Sequence, residues 1–253
     1  METLLGLTNL SQLEFWICLV VIFLAGMVRG FSGFALSALV MAALVVILPP
    51  IELIVVCWFL EMSASLLMVR DGVRQWDRAV VTGLVVGSGL GLPVGLYLTN
   101  TLPIEASKAI ALGVILTLAA LQLLKVRAAF LATKPGVYLS GLTAGMATGL
   151  ASVGGMVVAL YVLARDAPAN VMRASLVMYL FCASLVSFLF MNFYGMFDGQ
   201  AIARGLLFAP ICMAGVIAGQ KLFQPRLEPY YKPFCLCLLM LLAAAGLARM
   251  GLA

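Results

Sequence analysis

Apolar runs of helical length follow one another along almost the whole chain, with only short connectors between them. A helix needs roughly 20 apolar residues to cross the roughly 30 Å hydrocarbon core of a bilayer. Hydrophobic residues make up 64% of the chain and charged residues 10%, a balance far from that of soluble domains. The strand-length alternation of a membrane barrel is missing. The sequence therefore predicts an all-α polytopic membrane protein with one membrane domain.

Two of the apolar runs are too long for one straight crossing. Single crossings are predicted at 51–69, 79–98, 104–124, 174–197, 205–223 and 233–248. Residues 15–48, by contrast, would form a helix of about 51 Å at 1.5 Å per residue. Glycines that would allow a break lie at Gly30 and Gly33 in this run, and residues 136–164 repeat the pattern with Gly145, Gly149, Gly154 and Gly155. We expect both runs to break, with half-helices starting near Phe31 and Met156.

The two overlong runs resemble copies of each other. GMVRG at 26–30 aligns with GMATG at 145–149, and further along GLPVG at 91–95 aligns with GVIAG at 215–219. A duplicated chain is therefore predicted, with repeats at 1–126 and 127–253. Each repeat contains a broken segment followed by three transmembrane helices.

The placement of Lys and Arg tests whether the broken segments return to the side they came from. If both return, eleven cations fall on one side: Arg70, Arg74, Arg78, Lys125, Arg127, Lys134, Arg165, Arg173, Lys221, Arg226 and Lys232. Only Lys108, Arg204 and Arg249 fall opposite. The arms 15–28 and 136–148 would be about 21 and 20 Å long, too short to span, so re-entrant hairpins are predicted. A hairpin plus three spans is an odd number of crossings, which predicts inverted repeats, the architecture of many transporters.

The stretch MVRGFSGFALS, residues 27–37, places a charge within the first broken segment. A charged side chain at membrane depth costs at least about 2.5 kcal/mol, so Arg29 needs a partner or a function. A guanidinium beside helix N-termini suits a carboxylate, sulfonate or phosphate. The predicted anion-binding residues are Arg29, Gly30, Ser32, Gly33, Thr148, Gly149, Ser152, Gly154 and Gly155. Tight helix packing of the small-xxx-small kind is the alternative for the glycines.

Two alternative interpretations apply to each of three further side chains, Glu61, Arg173 and Tyr179. Glu61 either neutralises Arg29 or accepts a proton in response to an anion on Arg29, and neither role excludes the other. Arg173 and Tyr179 lie on one predicted helix after the second broken segment. They are either anchors near the membrane surface or contacts to the substrate.

Several function classes are not indicated. The chain has no histidine, and Cys235 and Cys237 lack the spacing of a CxxC site, so no metal or other cofactor is predicted. All six cysteines lie in apolar runs and are expected to be free thiols. No GxxxxGK[ST] loop occurs, so the chain is not expected to use ATP itself. An enzyme is not expected, because histidine, paired carboxylates at helix spacing and a GxSxG elbow are all missing. The net charge of +5 fits cytoplasmic loops of a membrane protein better than a nucleic-acid partner.

Several segments together resemble the sulfite exporter TauE/SafE family of bacterial membrane transporters. They are VRGFSGFALSALV, GSGLGLPVG, GLASVGGMVVALYVLAR, VMRASLVMY and FAPICMAGVIAG. One departure is Met156-Val157, where such proteins often carry prolines. The resemblance implies an exporter or importer of sulfite, sulfonates or related small organic anions across the bacterial inner membrane. With Glu61 as a candidate proton acceptor, we expect a proton-coupled secondary transporter that exports such an anion. An anion channel is the alternative, and a homo-oligomer stays open.

Overall fold

The computed structural model describes residues 8–73, 75–126, 133–165, 168–222 and 228–251 of the chain. Regular structure in these ranges is entirely helical. The ten helices described are α1 (Gln12–Ser32), α2 (Leu36–Leu44), α3 (Pro50–Gly72), α4 (Arg78–Thr101), α5 (Ile104–Leu123), α6 (Lys134–Ala151), α7 (Gly154–Ala164), α8 (Ala169–Phe193), α9 (Gly199–Leu222) and α10 (Glu228–Gly251). Seven of them, all except α2, α6 and α7, are long and apolar enough to cross a membrane. The all-α membrane architecture is confirmed.

Some residues on which the sequence predictions depend lie outside the described ranges. The predicted boundary between the repeats lies between residues 126 and 127, and the structure does not describe residues 127–132. Arg74, Arg127 and Arg226, three of the cations in the charge argument, also lie outside the described ranges. The inverted orientation of the repeats stays a prediction.

Local sequence signals fix where several helices begin. At α1, Ser11 and Glu14 form a capping box: the Glu14 N–H donates to Ser11 Oγ, and the Ser11 N–H donates to Glu14 Oε2 at 2.9 Å. Helix α3 opens with Pro50, which suits the first turn because its missing N–H needs no partner there. Asp77 caps α4 by accepting the Val80 N–H at 3.1 Å.

The first broken run is divided later in the chain than predicted. Helix α1 continues through Arg29 and Gly30 and ends at Gly33, which has φ 81° and donates its N–H to the Arg29 carbonyl at 2.9 Å. The next helix starts at Leu36, so the expected start near Phe31 is wrong. With 21 residues, α1 is about 31 Å long, so the prediction that this arm is too short to span is also wrong.

The second broken run is divided close to the predicted place. Helix α6 ends before Ser152, which has φ 57°, and α7 begins at Gly154, two residues before Met156. The short helices α2 and α7 have 9 and 11 residues, and at about 14 and 16 Å neither can cross a bilayer. Both runs therefore consist of a long helix, a break and a short helix. The sequence predicts the break in each run, but not this division into a long and a short helix.

The long helix of each broken run packs against the second helix that follows the broken run of the other half, α1 against α9 and α6 against α4. These contacts are backbone to backbone. A Cβ on Gly30 would lie 2.3 Å from the Val216 carbonyl oxygen, and one on Gly149 would lie 2.7 Å from the Cα of Gly95. For Gly30 and Gly149 the packing interpretation is confirmed.

Glycines that the alignment pairs between the halves make matching contacts. A Cβ on Gly26 would lie 2.5 Å from the Cys212 carbonyl oxygen, and one on Gly145 would lie 2.2 Å from the Ser88 carbonyl oxygen. In the partner helices, Gly215 faces α1 and Gly91 faces α6 with similarly short contacts. The paired glycines therefore make similar backbone contacts, and the duplication of the chain stays a prediction.

Candidate functional site

A cavity of about 40 Å³ lies between the two breaks. It has room for about three water-sized groups, which is the scale of a small polyatomic ion. Helices α3, α4 and α8 supply the walls, and residues of both breaks supply the rest. Its polar side chains include Ser37, Glu61, Thr148, Ser152, Tyr179 and Ser184. The cavity is therefore a pocket with several polar groups that converge inside an otherwise apolar fold.

The second break presents a helix N-terminus to this cavity. Helix α7 has no side-chain cap, and its first residues, Gly154 and Gly155, line the cavity. The first N–H groups of a helix have no intrahelical acceptor, and the helix dipole adds partial positive charge there. A Cβ on Gly154 would lie 2.1 Å from Thr148 Oγ1, so this tight junction requires glycine. The geometry favours an anionic group in the cavity.

The first break presents the N-terminus of α2 in the same way, but a protein carboxylate occupies it. Ala35, with φ 73°, precedes the helix, and a left-handed alanine costs about 1 kcal/mol. Ser37 donates its Oγ–H to Glu61 Oε1 at 2.9 Å, and its N–H lies 3.4 Å from the same oxygen. Glu61 therefore caps α2 from α3.

Behind Glu61 lies Arg29, whose side chain has no exposed surface. Arg29 Nε is 3.2 Å from Glu61 Oε2, and Arg29 Nη2 donates to Ser65 Oγ at 3.3 Å. The interpretation of Glu61 as the counter-ion of Arg29 is confirmed. Since Glu61 lines the cavity and Arg29 does not, the carboxylate separates the guanidinium from the cavity.

Two hydrogen bonds join α8 to the first half at the level of the cavity. The fully buried Tyr179 lies with its hydroxyl 3.2 Å from Ser88 Oγ on α4. The indole N–H of Trp58 donates to the Ser184 carbonyl at 2.8 Å. Both pairs join residues of different halves of the chain beside the cavity.

The predicted site residues divide into two sets. Those that line the cavity are Glu61, Thr148, Ser152, Gly154, Gly155 and Tyr179. Those outside its lining are Arg29, Gly30, Ser32, Gly33, Gly149 and Arg173.

The second set has structural contacts of its own. Arg173 Nη2 donates to the Gly30 carbonyl at 2.9 Å, which ties α8 to the end of α1. Ser32 Oγ lies 2.7 Å from the carbonyl oxygens of Val28 and Phe34, across the break. Contact of these residues with a substrate stays a prediction.

The cavity lining also includes Ser37, Trp58 and Ser184, which the sequence analysis does not single out. Ser37 had a readable signal, because it follows the glycine break within an apolar run and a hydroxyl there can hold an acid. Trp58 and Ser184 had none, since the residues that hydrogen-bond are 126 positions apart in the chain.

Polar contacts also join the halves at the two ends of α3. Near its start, Glu52 pairs with Arg204 of α9, whose Nε donates to the Thr8 carbonyl at 2.8 Å. Beyond its other end, Arg165 Nη1 lies 3.5 Å from Asp77 Oδ2. Both contacts lie outside the cavity lining and connect opposite halves.

Comparison with known proteins supplies the family. Among curated proteins and among solved structures, no chain matches significantly. A family model described as Sulfite exporter TauE/SafE matches residues 18–246, which include both breaks and every residue of the cavity lining. The match covers most of the chain and agrees with the seven membrane-length helices. The chain therefore belongs to the sulfite exporter TauE/SafE family, a family of membrane transporters.

Proposed function

We propose that this protein is a secondary transporter that exports a small anion, such as sulfite, a sulfonate or another organic anion, across the bacterial inner membrane. The observation that carries the proposal is the uncapped N-terminus of α7, which opens on a cavity between the two breaks. Backbone N–H groups at such a terminus bind oxyanions without a cationic side chain. The family description supplies the export direction and the substrate class.

The proposed substrate site consists of groups that can donate to anionic oxygens. Gly154 and Gly155 contribute backbone N–H groups, and Ser152 contributes a hydroxyl. The Tyr179 hydroxyl on the neighbouring wall donates to Ser88 Oγ. The remaining wall is largely aliphatic, with Leu92 as one example. Because the wall has low polarity, each of these hydrogen bonds is stronger than it would be in water. The small volume of the cavity disfavours larger ions.

Glu61 is the proposed proton acceptor. It lies between the cavity and Arg29, and its carboxylate cancels the guanidinium charge. When Glu61 takes up a proton, the positive charge of Arg29 is no longer compensated and the cavity attracts an anion more strongly. By reciprocity, a bound anion favours the protonated form of Glu61. Anion binding and proton binding are therefore expected to support each other.

The test is flux in reconstituted vesicles, with sulfite, methanesulfonate and acetate as probes. A carrier gives saturable flux that depends on pH, whereas a pore gives conductance without saturation. Gly155→Ala adds a methyl group 3.2 Å from Leu180 Cδ2, a flexible neighbour, so the fold should tolerate it. We expect it to raise the half-saturating sulfite concentration by roughly tenfold, which corresponds to about 1.4 kcal/mol.

Gly113→Ala is the matched control, since a Cβ there meets nothing within 4 Å. Its flux should equal that of the wild type. Wild-type vesicles that move none of the three probes above the rate of empty vesicles would remove the proposed substrate class. Equal saturation curves for Gly155→Ala and wild type would remove the N-terminus of α7 from the site.

A further inference from the structure

The carboxylate of Glu61 occupies, in the first half, the place that a substrate anion is proposed to occupy in the second. It lies at the N-terminus of the short helix α2, within reach of the Ser37 N–H and hydroxyl. The N-terminus of α7 is the corresponding place in the second half, and no side chain caps it. Helix α8, the counterpart of α3, contains no Asp or Glu. Glu61 therefore has no acidic counterpart in the second half.

Arg29 gives independent support for an anion site at the first break. Its side chain is fully buried, and its Nε and Nη1 atoms have no hydrogen-bond partner among the described residues. Glu61 Oε2, 3.2 Å away, compensates the charge without an aligned hydrogen bond. Such a guanidinium has capacity for an anion that is free to align with it, which a tethered carboxylate is not.

We infer that Glu61 is a tethered anion in a second anion-binding site, formed by Arg29, Ser37, Ser65 and the N-terminus of α2. The site takes a small carboxylate, and its natural occupant is part of the chain. This inference deepens the proposed function and rests on it for the comparison with the second half.

The experiment removes the tethered anion and supplies a free one. Glu61→Ala leaves space beside Arg29, and formate is the probe because it has the size and charge of the missing carboxylate. Binding of radiolabelled formate to the purified, full-length protein should show about one additional ion per chain compared with wild type. Formamide, which is neutral and of similar shape, should give no stabilisation of Glu61→Ala against heat, whereas formate should.

Two variants serve as controls. Glu105→Ala also removes one carboxylate, but from an exposed ion pair with Lys108, and it should bind no additional formate. The double variant Arg29→Ala/Glu61→Ala has the same space without the guanidinium, and it too should bind no more than wild type. Additional formate on the double variant would show that the space alone, and not the arginine, binds the ion.

The outcomes of this experiment test the inference about Glu61 independently of the proposed transport function. If Glu61→Ala cannot be extracted in plain buffer, it is purified in formate and, in parallel, in formamide. Recovery in formate alone supports the inference, and recovery in neither overturns it. Folded Glu61→Ala that binds no more formate than wild type also overturns it. Methanesulfonate binding to the wild type tests the α7 site, so loss of that result would count against the proposed function alone.

Discussion

The contact between α4 and α6 gives a prediction that separates packing from substrate binding at Gly149. In Gly149→Ala the new Cβ would lie 2.5 Å from the Leu96 nitrogen and 2.6 Å from the carbonyl carbon of Gly95. Ordinary contacts of a Cβ begin near 3.4 Å, so the two helices must separate by about 1 Å. Because backbone atoms are met, no rotamer change can relieve the clash.

The magnitude follows from three contributions. Overpacking costs about 1–3 kcal/mol. The Thr99 hydroxyl donates to the Gly149 carbonyl at 2.8 Å, and separating the helices weakens this bond, which contributes about 1 kcal/mol. Alanine in place of glycine within a helix returns up to about 1 kcal/mol. We expect a net loss of about 1–3 kcal/mol in the free energy of unfolding.

The assay is thermal unfolding in detergent, followed with a thiol-reactive fluorophore. All six cysteines are free and four of them, Cys18, Cys57, Cys212 and Cys235, are buried, so labelling reports loss of the fold. Gly113→Ala is the matched control, with open space around its Cβ and an expected gain of about 0.5–1 kcal/mol. If both variants unfold at or above the wild-type temperature, the packing argument is refuted and Gly149 returns as a candidate substrate contact.

Three further predictions concern the ion pairs. Arg29→Met should lower the free energy of unfolding by about 3–5 kcal/mol because it leaves Glu61 buried without its counter-ion. Adding Glu61→Gln should restore most of that loss. Additive effects of the two substitutions in a double-mutant cycle, measured by thermal unfolding, would contradict the pairing. Glu61→Gln alone should keep anion binding but remove the dependence of sulfite flux on a pH gradient; an unchanged dependence would leave Glu61 as a counter-ion only. Arg204→Met should cost less stability than Arg29→Met, since its partner Glu52 has a side chain that is 31% exposed. It should also leave the half-saturating sulfite concentration unchanged. A higher half-saturating concentration would place the Arg204–Glu52 pair in the substrate path.

The existence of the breaks could be predicted from length alone, because no single straight helix of 34 residues fits a bilayer. Their positions were less accessible. Gly30 looks like a breaking point in the sequence, yet it lies inside α1, because it packs against the backbone of α9. Glycine both permits a break and permits close packing, and only the partner helix decides between the two roles.

The partner of Arg29 was predictable in kind, since a buried charge needs an opposite charge and Glu61 was available in an adjacent apolar run. The second role of Glu61 could not be predicted from the sequence. Glu61 also caps α2 through Ser37, a contact between residues 24 positions apart in the chain. Hydrophobic periodicity reports which faces are buried, but it carries no information on which helix end a buried acid meets.

The sequence predicts only part of the site because the long helix of each broken run packs against a helix of the other half. The break after α1 is positioned by α9, and the break after α6 is positioned by α4, so each half fixes the geometry of the other. The cavity needs both breaks, and its walls on α3 and α8 are joined through Trp58 and Ser184. Neither half of the chain by itself contains the cavity. A sequence read one repeat at a time identifies the parts of the site, but their convergence is a property of the whole chain.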